Sequence, residues 1–164
     1  MNKNLPLPDA QAEQASLALQ NLIANEIQSH NGWISFNDYM HMALFTPQLG
    51  YYTGGSHKIG SAGDFVTAPS LTPLFGLTLA RQIAPLLSQT AGNVYEFGAG
   101  TGELAVSLLA GLNPDVLQHY YIMDVSPELK QRQLALIREK LPEHADKVVF
   151  LDSIPDAFDG VIIG

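Results

Sequence analysis

Val94-Tyr95-Glu96-Phe97-Gly98-Ala99-Gly100-Thr101-Gly102-Glu103 joins an apolar run to a glycine-dense turn, and a helical pattern from Glu103 to Leu112 follows it. A strand that reverses at once into a helix needs backbone angles that a Cβ disfavours, and glycine adopts them freely. The missing side chains also let a ligand touch the main chain, while the first helical turn offers N–H groups with no partner inside the helix. Such a unit is a candidate nucleotide or nucleoside site; a tight turn that binds nothing is the alternative. Spacing narrows the ligand. Gly98, Gly100 and Gly102 read G-x-G-x-G, unlike the G-x-G-x-x-G of dinucleotide sites, and no G-x-x-x-x-G-K-[ST] phosphate loop is present. Glu96, just ahead of the first glycine, would repel a pyrophosphate and suits a ligand with a cationic amino group.

The chain of 164 residues has the length of one domain, and its 46% hydrophobic and 15% charged residues are ordinary for a globular core. A net charge of −8, from 16 acidic and 8 basic residues, argues against nucleic-acid binding and against an anionic membrane surface. No cysteine is present, so disulfide and thiolate chemistry are excluded. Met1 to Pro8 lacks the apolar core of a signal peptide, and no apolar run approaches the ~20 residues that span a bilayer. The expectation is a soluble, cytoplasmic chain without membrane insertion.

Two helices are expected first, one capped by Asp9 and running to about Ser29, the second over Asn37–Phe45 behind a Ser35/Asp38 capping pair. The first carries Ala15, Leu19, Leu22, Ile23 and Ile27 on one stripe. Between Thr46 and Ser70, glycines and prolines interrupt every pattern; the segment reads either as a functional loop or as a ribbon around Tyr51-Tyr52 with an irregular return. Thr72-Pro73 then starts a helix that Pro85 should kink or end early. Strands follow at Asn93–Phe97, Tyr120–Asp124, Lys147–Leu151 and Gly160–Ile163, with helices at Glu103–Leu112 and from Ser126-Pro127 to about Leu141, where Leu129, Leu134 and Ile137 face inward. This order describes a parallel α/β sheet. A covering helix is expected after the fourth strand, so the chain reads as truncated there. Residues 1–70 are expected to form an N-terminal helical and glycine-rich loop extension, and 71–164 the sheet domain.

The run Glu96-x-Gly98-x-Gly100-x-Gly102 resembles motif I of the class I S-adenosylmethionine (SAM) methyltransferases. In doubly wound sheets the ligand lies across the carboxyl ends of the strands. Asp124, about twenty residues beyond the glycines, stands at the offset of a carboxylate that accepts ribose hydroxyls, with capping of the next helix as its alternative. Asp152 and Ser153 follow the third strand, where an adenine amino group could be read; a turn before Pro155 explains them as well. The five histidines show no metal-ligand spacing, and no metal is expected.

Gly50-Tyr51-Tyr52, Gly63-Asp64-Phe65-Val66-Thr67-Ala68-Pro69 and Phe75-Gly76, all upstream of Tyr95–Gly102, make the resemblance more specific: the chain is similar to the MidA family from about Ile34 to Gly164. That family includes the mitochondrial complex I assembly factor that dimethylates an arginine of a complex I subunit. The resemblance implies a Rossmann-like class I methyltransferase fold, SAM as cofactor, and a protein arginine acceptor, with a respiratory complex I subunit as one candidate partner. Carried over by position, Glu96, Gly98, Ala99, Gly100, Thr101 and Gly102 would hold the amino-acid end of SAM, Asp124 its ribose, and Gly63, Phe65 and Thr67 would line the site. Asp64 is the candidate catalytic contact, to the cofactor's charge or to a guanidinium; a solvent-side turn is its alternative. The chain departs from the family at Ser70, where members often carry Glu, and lacks the family's long segment after the fourth strand. Two other readings compete: a SAM-binding assembly factor without turnover, and a nucleotide-dependent oxidoreductase, which the glycine spacing disfavours.

Overall fold

A computed structural model describes residues 8–54 and 67–164. The chain divides into two compact units, Met1–Ser56 and His57–Gly164.

In the first unit, α1 spans Ala10–Ser29 and begins where the Asp9 carboxylate accepts the Ala12 N–H at 2.7 Å. Ile23 is buried along its stripe, whereas Leu22, expected inward, is exposed. Helix α2 spans Phe36–Phe45, one residue earlier than the pattern indicated, because the Ser35 hydroxyl accepts the Asp38 N–H at 3.1 Å and so makes Phe36 the first helical residue. After it, turns bring Gln48 and Gly54 into a single bridge rather than a strand ribbon. Thr46 is held by its hydroxyl on the Met42 carbonyl at 2.6 Å.

The second unit holds the sheet. A four-residue helix, α3 (Ala68–Leu71), precedes α4 (Leu74–Leu87); the Thr72 hydroxyl accepts the Leu74 N–H at 3.3 Å. Helix α4 runs only two residues past Pro85, which deletes one ladder bond close to the helix end, and Ser88 N–H still reaches the Ala84 carbonyl at 3.3 Å. Then come β1 (Asn93–Phe97), α5 (Glu103–Gly111), β2 (Tyr120–Met123), α6 (Pro127–Lys140), a 3-10 turn over Pro142–Lys147, β3 (Val148–Leu151) and β4 (Gly160–Ile163). All pairings are parallel, in the order β3-β2-β1-β4, so β1 is bonded along both edges.

Alternation along the strands sorts side chains to two faces. Val94, Tyr120 and Ile122 join Ala80, Ile83 and Leu87 of α4, Leu108 and Leu109 of α5 and Ile137 of α6 in one buried cluster. On the opposite face Tyr95 stacks on Tyr121 with ring centroids 4.8 Å apart, and Phe158 meets Tyr95 edge-on. Helices α4 and α5 lie close because Gly76 has no side chain: a Cβ there would stand 2.3 Å from that of Ser107. The architecture is the expected Rossmann-like α/β fold. Among the described residues no helix is long and apolar enough to cross a membrane.

Candidate functional site

At the carboxyl end of β1 the chain turns through Gly98 (φ 69°), Gly100 (φ 58°) and Gly102 (φ 96°), all in the left-handed region. Side chains pay about 1–2 kcal/mol there, which accounts for glycine at each alternate position. Gly98 N–H donates to the Met123 carbonyl at 2.9 Å and Gly102 N–H to that of Ala99 at 2.9 Å, so the turn is tied both to β2 and to itself. Among the described residues a Cβ on Gly98 would meet nothing within 4 Å, which leaves the main chain of the turn open there. Gly102 is different: its Cβ would lie 3.3 Å from the Cα of Gln133. Ala99 is buried in the core cluster, so only its main chain is offered to a ligand. The Thr101 hydroxyl donates to the Glu103 carboxylate in the first turn of α5.

Two acidic groups converge on this turn. Glu96 is 3% exposed, on the helix-covered face of the sheet, and its Oε2 accepts the Tyr120 hydroxyl at 2.7 Å. Burial pushes its carboxyl up from the usual 4.5 to about 7; the Tyr120 bond opposes this and the Asp124 carboxylate adds to it. Tyr120 is itself pushed well above its ordinary value, by burial first and then by Glu96. Asp124 follows the last residue of β2 and is 9% exposed. Its Oδ1 accepts the Ser126 N–H at 3.0 Å and its Oδ2 a Gln133 amide hydrogen at 2.8 Å. The cap of α6 is Ser126 itself, whose hydroxyl accepts the Leu129 N–H at 3.3 Å, so Asp124 supports the helix start without being its cap. A carboxylate has about four acceptor positions, and two on Asp124 remain for a ligand.

The other sequence candidates are spread more widely. Asp152 and Ser153 are exposed beyond β3, and Asp152 pairs with Lys130 at 2.9 Å. Thr67 is exposed and precedes α3, its N–H donating to the Ser70 hydroxyl at 3.1 Å; α3 lies beside α5. Gly63, Asp64 and Phe65 lie outside the described residues. Sequence reasoning missed Gln133 and Tyr120, both fully buried, the first bonded to the turn at Gly100 and the second to Glu96. The signal for Gln133 was a polar residue four positions before the inward Ile137, hence on the inward stripe of α6.

A family model described as "Putative S-adenosyl-L-methionine-dependent methyltransferase" matches residues 78–164. The chain is 29% identical over 153 residues to the Drosophila melanogaster mitochondrial protein arginine methyltransferase NDUFAF7 homolog, covering 87% of this chain and 35% of that protein. It is 32% identical over 112 residues to the Danio rerio mitochondrial protein arginine methyltransferase NDUFAF7, covering 62% and 26%. A Burkholderia thailandensis protein crystallised with S-adenosyl-homocysteine superposes with a TM-score of 0.85 at 44% identity, over 97% of this chain and 43% of that one. The chain thus spans well under half the length of the relatives it matches.

Proposed function

The chain belongs to this S-adenosyl-L-methionine-dependent methyltransferase family, and from that membership we propose that its protein transfers a methyl group from SAM to an arginine side chain of a protein acceptor. The observation that carries the reading is the pairing of two carboxylates, Glu96 and Asp124, around a glycine turn with an open main chain. The residues fit the cofactor. Glu96 offers buried negative charge to an ammonium group, the turn offers main chain to the amino-acid end, and the two spare acceptor positions of Asp124 match a ribose diol. Asp152 and Ser153 would take the adenine side. The described end of the Gly63–Thr67 stretch, beside α5, is the proposed flank of the site.

When bound, SAM supplies an electrophilic methyl group that carries its own leaving group. The chain's residues then need only to bind, orient and exclude water. Glu96 holds the ligand at its amino-acid end and Asp124 at its ribose, and the buried Tyr120 hydroxyl holds the Glu96 carboxyl in one orientation. The arginine acceptor draws on the names of the matched relatives; a respiratory complex I subunit, its first candidate, draws on the family resemblance of the sequence. Asp64 belongs to the proposal as the contact for the acceptor guanidinium, and residues 1–70 as an N-terminal extension to the sheet domain. The cytoplasmic location rests on composition.

Parallel calorimetric titrations with SAM, S-adenosyl-homocysteine and NAD test the cofactor: the first two bind and NAD does not. NAD binding with both sulfur ligands silent overturns the reading. Methyl label recovered on a residue other than arginine overturns the acceptor alone.

A further inference from the structure

Gln133 is fully buried in the middle of α6, at a place where the helix otherwise presents apolar side chains. Burying an amide is costly unless its hydrogen-bonding groups are used. Both amide hydrogens are used, and on two different loops: one goes to the Gly100 carbonyl at 2.9 Å, the other to Asp124 Oδ2 at 2.8 Å. Gly102 lets this happen, because any side chain there would crowd the Cα of Gln133. The remaining oxygen, Oε1, is buried with no hydrogen-bond partner among the described residues. One side chain therefore clamps the β1–α5 turn to the carboxylate after β2.

The consequence for Asp124 is geometric. With Oδ1 held by Ser126 N–H and Oδ2 by Gln133, the plane of the carboxylate cannot rotate, and its two free lone-pair positions have fixed directions. A freely turning carboxylate would meet one hydroxyl at a time; a fixed one is preorganised for two adjacent hydroxyls. We propose that Gln133 is a positioning residue that sets Asp124 to accept a vicinal diol and couples that setting to the glycine turn, so that the site distinguishes a ribonucleoside from its deoxy counterpart. This rests on the cofactor reading above.

The test compares S-adenosyl-homocysteine with its 2′-deoxy analogue. The wild-type protein is expected to prefer the ribose ligand by about tenfold, the range of a hydrogen bond to a charged group. Gln133→Met, which keeps length but has no donor, should bring the ratio towards one by weakening the ribose ligand selectively. In an Asp124→Ala background the same change should leave the ratio unmoved. A residue that only stabilises the fold would weaken both ligands equally, and that result overturns the proposal. Should Gln133→Met not fold, the wild-type protein still decides: the Gln133 side-chain amide resonances should shift on adding S-adenosyl-homocysteine and shift less with the deoxy analogue. Equal shifts, or none, overturn the proposal. Wild-type protein that binds neither S-adenosyl-homocysteine nor SAM overturns the cofactor reading itself. Wild-type binding with an unmoved ratio in the variant overturns the role of Gln133 alone.

Discussion

The Tyr120 hydroxyl donates to Glu96 Oε2 over 2.7 Å, from a strand whose register pairs Tyr120 with Val94, two residues before Glu96. The bond runs along the sheet beneath the helices, away from water, and among the described residues it is the hydrogen bond that favours the charged form of Glu96. The site thus holds a carboxyl that changes charge near neutrality.

That charge change makes stability depend on pH. Because the folded value of Glu96 is raised from 4.5 to about 7, the folded state binds the proton more tightly than the unfolded state. Its contribution is fully present below about pH 4.5 and is lost as pH rises through about 7. At about 1.4 kcal/mol per unit, the loss is on the order of 3 kcal/mol. Urea midpoints of the ligand-free protein between about pH 5 and about pH 8 should fall with rising pH, and Glu96→Gln should remove most of the slope. An identical slope in Glu96→Gln would assign it to another group.

Tyr120→Phe deletes the bond that holds the Glu96 value down, so that value should move above about 7. The expected stability loss is about 1 kcal/mol, larger where Glu96 is charged. Carbon-13 titration of the Glu96 carboxyl in both proteins checks the direction. A downward move would mean the hydroxyl is not its partner.

Gly98→Ala and Gly102→Ala separate two reasons for glycine. Both incur the left-handed penalty of about 1–2 kcal/mol. At Gly98 the added methyl meets open space, so thermal stability should fall by that amount only, while S-adenosyl-homocysteine binding is lost. At Gly102 the methyl presses on Gln133, so the stability loss should be the larger of the two. Equal melting shifts would contradict this.

Asp124→Ala leaves the Ser126 N–H and a Gln133 hydrogen without their acceptor and removes the proposed ribose contact. Affinity for S-adenosyl-homocysteine should fall roughly tenfold or more. A change below about twofold would restrict Asp124 to its structural bonds.

Much of this was legible in advance, and the gaps have physical causes. The β1–turn–α5 unit could be read because glycines at 98, 100 and 102 answer a backbone demand that local sequence alone imposes. Asp124 could be found by its offset. Gln133 could not be assigned a role: its spacing from Ile137 puts it on the inward stripe of α6, but its partners, 33 and 9 residues away, are identified only once the sheet is assembled. Tyr120 hid inside an apolar strand, where its ring explained its presence and its hydroxyl went unread. Helix α3 is only four residues long, too short for any periodicity to announce it.

The position of β1 between two parallel neighbours bears on which changes in length the chain can survive. Val94 and Glu96 face the helices while Tyr95 and Phe97 face the other way, and both edges of the strand are bonded. An insertion or deletion of one residue within Asn93–Phe97 would turn every following side chain over. Tyr95 or Phe97 would be driven under the helices, and the acid would leave the Tyr120 hydroxyl. Binding charge and buried packing therefore sit on one track that cannot slide, so variation in chain length should be confined to the loops at its ends.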